Sequence, residues 1–179
     1  MTKAGSAVTK TGKGQFPNPL DTILRSIKLI FFSEKAMMSL MLNRKHTFNI
    51  LFMYGVSLVI PFRDIGGVLR PSNFGQIVES ILLTFIYIGL LYLYLPKKAG
   101  VFMATMRVVL SFEAMSIFLP VTFLLEGKML EYFHPAFLAW YLSLSVFAVS
   151  KIKGYGYIMS TFVVFAAFVA TVIFPLFFA

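Results

Sequence analysis

Three ionisable side chains interrupt long apolar runs in this chain: Glu79, Arg107 and Glu113. A charge in hydrocarbon is costly, so such residues find a partner, reach for the interface, or bind something that enters the apolar layer. Glu113 stands in the stretch LSFEAMSIFLP. It lies about twelve residues before the end of its apolar run, roughly 15–18 Å along a helix. It can act as a proton- or ligand-binding acid, or bond to a neighbouring helix or to Arg107 as structural glue. Glu79 lies about five residues into its own run, roughly 7–8 Å from that end. Arg107 sits near the other end of the run that holds Glu113, and its flexible stem can carry the guanidinium toward headgroups. Arg107 and Glu113 are separated by about 240° on an ideal α-helix, so a straight helix does not face them together.

Conventional catalytic patterns are missing from the sequence. Without cysteine there is no thiolate and no disulfide. His46 and His134 fall at the ends of different runs, and a metal needs two to four converging ligands. Glu131 and His134 form a single E-x-x-H spacing in a loop, without the other ligands of a di-metal site. Gly154 and Gly156 have no phosphate-loop context, and no nucleophile elbow occurs. The reading is non-enzymatic, with no cofactor identified.

The elements that would position these charges belong in lipid. The chain is 59% hydrophobic and 13% charged, with a mean hydropathy of +0.84. Soluble domains carry about 25% charged residues. The formal net charge of +9 is distributed between apolar runs, where membrane proteins need it. That favours membrane lipids and other integral membrane proteins as partners, and not nucleic acid.

The expected fold is all-α, a polytopic membrane bundle of about five transmembrane helices with an amphipathic interfacial helix at its N-terminal side. Residues 1–18 read as a basic, disordered tail without the apolar core of a signal peptide, so the first span would do the targeting. Residues 19–45 read as an amphipathic interfacial segment. In PLDTILRSIKLIFF, Leu20, Ile23, Leu24, Ile27, Ile30 and Phe31 recur at helical spacing, opposite Asp21, Arg25 and Lys28. Ser33 can cap a second short helix, Glu34 to Leu42. Arg25, Lys28, Lys35, Arg44 and Lys45 would meet anionic headgroups there. Residues 46–179 form the transmembrane domain, with spans at about 47–62, 74–95, 102–125, 135–150 and 155–178. The stretches RDIGGVLRPSN and EGKMLEYF read as loops between spans. Ala166 and Ala170 give the last span a small-residue face for close helix packing.

Basic residues set the orientation. With the N-terminus inside, eight Lys and Arg precede the first span, and Lys97, Lys98, Lys151 and Lys153 share that side. Arg63, Arg70 and Lys128 fall on the other. This bias places the N-terminus in the cytoplasm and, with five spans, the C-terminus outside. A bacterial cytoplasmic membrane is the expected location.

This layout resembles the Yip1 domain family. The stretch AWYLSLSVFAVSKIKGYGYIMSTFVVFAAFVATVIF is similar to that family's fourth and fifth spans, an aromatic-rich helix ending in a basic-glycine turn. RVVLSFEAMSIFLPV is similar to its third. The DLYG-type motif of eukaryotic members is absent. The resemblance implies five spans, a cytoplasmic N-terminal arm and a scaffold or interaction role. The alternatives are an accessory subunit of a larger energy-transducing or photosynthetic membrane complex, and a small transporter or channel using Glu79 and Glu113.

Overall fold

A computed structural model describes residues 18–70, 73–98 and 100–177. The basic tail falls outside them, apart from Asn18. That residue is a helix cap: its side chain accepts from Leu20 N at 3.1 Å, and Pro19 follows in the first helical turn. Pro suits that position because its missing N–H would have no partner there anyway.

The described residues form seven α-helices, α1 (Pro19–Ile30), α2 (Glu34–Leu42), α3 (Thr47–Ser57), α4 (Phe74–Tyr94), α5 (Val101–Ser111), α6 (Lys128–Lys153) and α7 (Tyr157–Ile173). A 3₁₀ segment, Phe112–Phe123, prolongs α5, and another, Phe174–Phe177, prolongs α7. The fold is all-α save for one small hairpin. Three helical stretches are long and apolar enough to cross a membrane: Phe74–Tyr94, Val101–Phe123 and Lys128–Lys153. The helix Tyr157–Ile173 is apolar but shorter.

Helix α1 packs in a way that water would not select. Its buried residues include Thr22 and Ser26, while Leu20 and Phe31 are 64% and 61% exposed. A helix on a soluble protein buries its apolar stripe. Here the small hydroxyl side chains face the protein and much of the apolar stripe faces outward, the arrangement that a hydrocarbon surround permits. The polar face is satisfied at Thr22 only, since Ser26 Oγ is buried without a hydrogen bond among the described residues. Thr22 Oγ1 meets His46 Nδ1 at 2.7 Å and accepts from Asn49 Nδ2 at 3.0 Å.

The turn from α1 to α2 is made by Phe32, with φ of 60°. A bulky residue in the left-handed region costs about 1–2 kcal/mol, and glycine is the usual occupant. Phe32 is held there by packing edge-on against Phe147, with ring centroids 5.7 Å apart. Its neighbour Phe31 meets Trp140 in the same way at 5.8 Å. Trp140 Nε1 donates to Ile30 O at 2.8 Å, capping the end of α1 with a side chain from α6. Helix α2 then follows, with Ser33 Oγ accepting from Ala36 N.

Two polar stretches differ from their sequence reading. RDIGGVLRPSN is not simply a loop: β1 (Phe62–Arg63) and β2 (Leu69–Arg70) pair antiparallel, with Phe62 opposite Arg70. Asp64 closes the turn by accepting from Val68 N at 2.8 Å and pairing with Arg70 at 3.2 Å. The Val68 N–H, the largest influence, holds the Asp64 carboxyl below the usual carboxylate range, and Arg70 adds to it. Gly67, at φ of 75°, supplies the left-handed residue. The second case is α6, which begins at Lys128 and takes in most of EGKMLEYF, so Pro135 lies inside the helix. Proline signals a helix start because it lacks an N–H, but a helix can run through it by forgoing one bond.

The bundle has two distinguishable ends. At one, Lys153 Nζ donates to Tyr94 O, Lys151 pairs with Glu34 at 2.6 Å, and the Arg44 guanidinium approaches Gly100. At the other, Arg63 N donates to Thr122 Oγ1 at 2.9 Å and His134 Nε2 donates to Arg63 O at 2.7 Å. Helix α3 and the chain after it run alongside α5 and its 3₁₀ extension in the same direction. The matched contacts are Thr47 with Arg107, Ser57 with Glu113 and Arg63 with Thr122. The core between these layers holds Ile50, Ile88, Leu91, Leu110, Phe112, Met115 and Leu144.

Candidate functional site

The structure separates Arg107 from Glu113. Arg107 is 4% exposed, and its guanidinium turns toward α2. Nε donates to Leu40 O at 3.1 Å and one terminal nitrogen donates to Met41 O. The other meets Thr47 Oγ1 at 3.5 Å. The last carbonyls of a helix have no intrahelical donor. A guanidinium satisfies them and is favoured by the negative end of the helix dipole. Arg107 is therefore a buried cap on α2, not a partner of Glu113.

Glu113 occupies the second position of the 3₁₀ segment, just past the α-helical part. In a 3₁₀ helix, side chains at i and i+3 eclipse one another. The winding therefore stacks Glu113, Ser116, Leu119 and Thr122 in one row. Glu113, Ser116 and Leu119 line a chamber of about 400 Å³. Ser116 Oγ donates to Glu113 Oε2 at 3.3 Å, and Ser57 Oγ reaches the same oxygen from α3 at 3.4 Å. Both bonds are long for O–H···O, whose usual distance is about 2.7–2.8 Å. Oε1 has no hydrogen bond among the described residues.

Glu79 shares this chamber. It is exposed near its mouth, with Gln76, Ser80 and Thr84 along the same side of α4 and Arg70 across from them. From Gln76 to Thr84 the wall descends roughly 12 Å along the helix. Asp64 holds Arg70, so carboxylates outnumber the single guanidinium here. Glu113 also lines two further cavities, of about 280 and 410 Å³. Tyr87, Tyr141, Phe168 and Thr171 border the first; Phe62, Phe112, His134 and Tyr141 border the second.

Two phenols make the site unusual. The hydroxyls of Tyr54 and Tyr87 are buried and make no well-formed hydrogen bond among the described residues, with Thr84 beside Tyr54 and Ser145 beside Tyr87. Each ring is only 5% exposed. Buried polar groups are nearly always paired, so each exception calls for a physical reason. Tyr54 lines the 400 Å³ chamber and Tyr87 the 280 Å³ cavity, and both cavities reach Glu113.

The largest cavity, about 650 Å³, lies elsewhere, between α6 and α7, and is mostly apolar, with Phe32, Val146, Phe147 and Phe165 among its walls. It holds no titratable group except Tyr157 and is suited to an acyl chain. Among the described residues, no three His, Cys, Asp or Glu gather closely enough to hold a metal ion.

The basic arm divides in two. Arg25 is half-buried and engaged within the arm, pairing with Asp21 at 2.8 Å and bonding to Ser39 Oγ. Lys28, Lys35, Arg44 and Lys45 are exposed. Sequence reasoning found Glu79 and Glu113 but missed Tyr54, Ser57, Tyr87, Ser116 and Tyr141. The E-x-x-S spacing of Glu113 and Ser116 is the one local signal, since residues three apart are neighbours on an α-helix and stack directly in a 3₁₀ one.

Comparison with family models, with curated proteins and with solved structures finds no match to this chain.

Proposed function

We propose that this chain is a non-enzymatic integral membrane protein of five crossings that admits a small solute to Glu113, acting as a small transporter. One observation carries the reading: a half-satisfied carboxylate inside the bundle where three cavities meet. The five crossings are α3 with the chain to Phe62, α4, α5 with its 3₁₀ extension, α6, and α7 with its own. α4 and α6 give about 31 and 39 Å of rise, enough for a hydrocarbon layer of about 30 Å. α3 gives only about 16 Å and relies on the extended chain that follows it. The end bearing Arg44, Lys97, Lys98, Lys151 and Lys153 faces the cytoplasm, in keeping with the positive-inside bias. The mouth by Arg70 and Glu79 then opens outside. The membrane is the cytoplasmic membrane of a bacterium, with the C-terminus extracytoplasmic.

The test exploits a chain free of cysteine. Single cysteines at Ser80 and Ser116 are introduced, and intact cells are treated with a membrane-impermeant maleimide. Both positions are expected to label from outside, Ser80→Cys faster. If Ser116→Cys stays unlabelled while Ser80→Cys reacts, the chamber does not reach Glu113 and the reading fails.

A second reading is a Yip1-like scaffold bound to lipid and to other membrane proteins. It is favoured by Lys28, Lys35, Arg44 and Lys45, which lie exposed on the N-terminal helical arm beside outward-facing Leu20 and Phe31. Anionic headgroups attract such residues by about 1 kcal/mol each. Deleting the first 45 residues should then abolish partner recovery from native membranes; undiminished recovery would remove the arm from this role.

A further inference from the structure

The geometry points to an organic ammonium ion as the solute: a protonated amine on an apolar body, held between Glu113 and the tyrosines around it. This rests on the chamber being a solute site and adds the chemical class.

Four features of the site select that class. The carboxylate of Glu113 disfavours an anion, and Glu79 at the mouth reinforces the sign. A neutral solute would leave the charge of a half-buried acid uncompensated, since Ser57 and Ser116 satisfy it only at long range. A bare metal cation needs about six oxygen ligands at roughly 2.3–2.6 Å for calcium, or an octahedral set for magnesium. One carboxylate and two hydroxyls cannot supply that shell.

An ammonium on an apolar body fits what remains. Tyr54, Tyr87, Tyr141, Phe62, Phe112 and Phe168 border the three cavities that meet at Glu113. Aromatic rings attract organic cations through their quadrupoles, most strongly where water is excluded. The Phe112 and Tyr141 rings stand edge-on at 5.7 Å, and Tyr87 and Tyr141 lie 6.3 Å apart, so the aromatic wall is continuous. A primary ammonium carries three N–H donors. The carboxylate takes one, and the hydroxyl oxygens of Ser57 and Ser116 lie beside that carboxylate for the others. The cavities, at about 280 to 410 Å³, suit a body of one ring or a short aliphatic chain.

The probe is phenethylammonium, with 2-phenylethanol as its neutral counterpart of similar size. Both are added to the full-length Ser116→Cys protein in membranes before maleimide treatment. At a matched concentration at which phenethylammonium slows labelling about tenfold, 2-phenylethanol should leave it nearly unchanged, because loss of the charged hydrogen bond weakens binding about tenfold or more. Equal protection by the two compounds, or protection by neither, overturns the ammonium assignment. Labelling without probe establishes independently whether the chamber is open, so failure of the class and failure of the site are told apart. Direct binding of phenethylammonium to the detergent-solubilised wild-type chain and to its Glu113→Gln variant gives a second readout. Affinity should fall about tenfold in the variant, and undiminished affinity overturns the proposal.

Discussion

Arg107 and Glu113 lie six residues apart on one continuous helical rod, and the two charges have opposite surroundings. Arg107 is held by its hydrogen bonds to the last carbonyls of α2 and to Thr47. Glu113 faces cavities and receives two long bonds on one oxygen. Both are ionisable residues in an apolar run, and composition does not tell them apart. A buried charge with a full set of rigid partners is a structural joint. One left partly unsatisfied beside open volume retains binding capacity for something else. The winding of the helix produces the division. Six residues separate the two by about 240° around a helix, so Arg107 points at α2 and Glu113 toward α3, and the 3₁₀ segment from Phe112 stacks Ser116 beside the acid.

Substitutions at the two positions should therefore act in opposite ways. Arg107→Met leaves the carbonyls of Leu40 and Met41 buried without donors. It should lower stability by about 3 kcal/mol or more, and Arg107→Lys should recover only part of this because a compact ammonium lacks the planar fork whose separate nitrogens reach Leu40 O, Met41 O and Thr47 Oγ1. Thermal unfolding in detergent, followed by loss of the monodisperse peak, measures it. A melting temperature like wild type for Arg107→Met would erase the distinction drawn above.

An intermediate effect is expected at His46, which joins α1 to the start of α3 through Thr22. Burial, foremost, and the nearby Arg25 and Arg107 lower its affinity for a proton from the ordinary value of 6.5, while Asp21 opposes them. The unfolded chain thus binds the proton more readily than the folded one. Stability is fully present above pH 6.5 and is lost as the pH falls below it toward the lowered folded value. The melting temperature should drop between pH 7 and pH 5 by more in wild type than in His46→Gln, and equal slopes would place the sensitivity elsewhere.

Glu113→Gln should have the smallest effect on stability, within about 1 kcal/mol of wild type, since the amide keeps the shape and relieves the cost of an incompletely paired acid. Solute flux should be lost all the same. A large loss of stability would make Glu113 a second Arg107, a joint and not a site.

Much of the helical outline was legible from residue types. The Pro19 start of α1 and the Ser33 cap of α2 are local signals, whereas Asn18, read as part of the tail, proves to be the cap of α1. The hairpin at Asp64–Gly67 was less legible, because its strands are only two residues long and show no alternation to read. The inward start of α6 was hidden by Pro135, which marks a helix start more often than a helix interior.

The sequence by itself determined that the chain is helical and strongly apolar, and that the ionisable residues interrupting its apolar runs are Glu79, Arg107 and Glu113. Composition and periodicity suffice for that, since each residue carries its own hydrophobicity and helix preference. Only the tertiary structure decided that Arg107 belongs to α2 and that Glu113 faces a chamber shared with Glu79. It alone brought Tyr54, Tyr87 and Tyr141, distant in the chain, to the walls around one carboxylate. Such convergence depends on how helices cross and where one of them changes its winding, which no local stretch of sequence specifies.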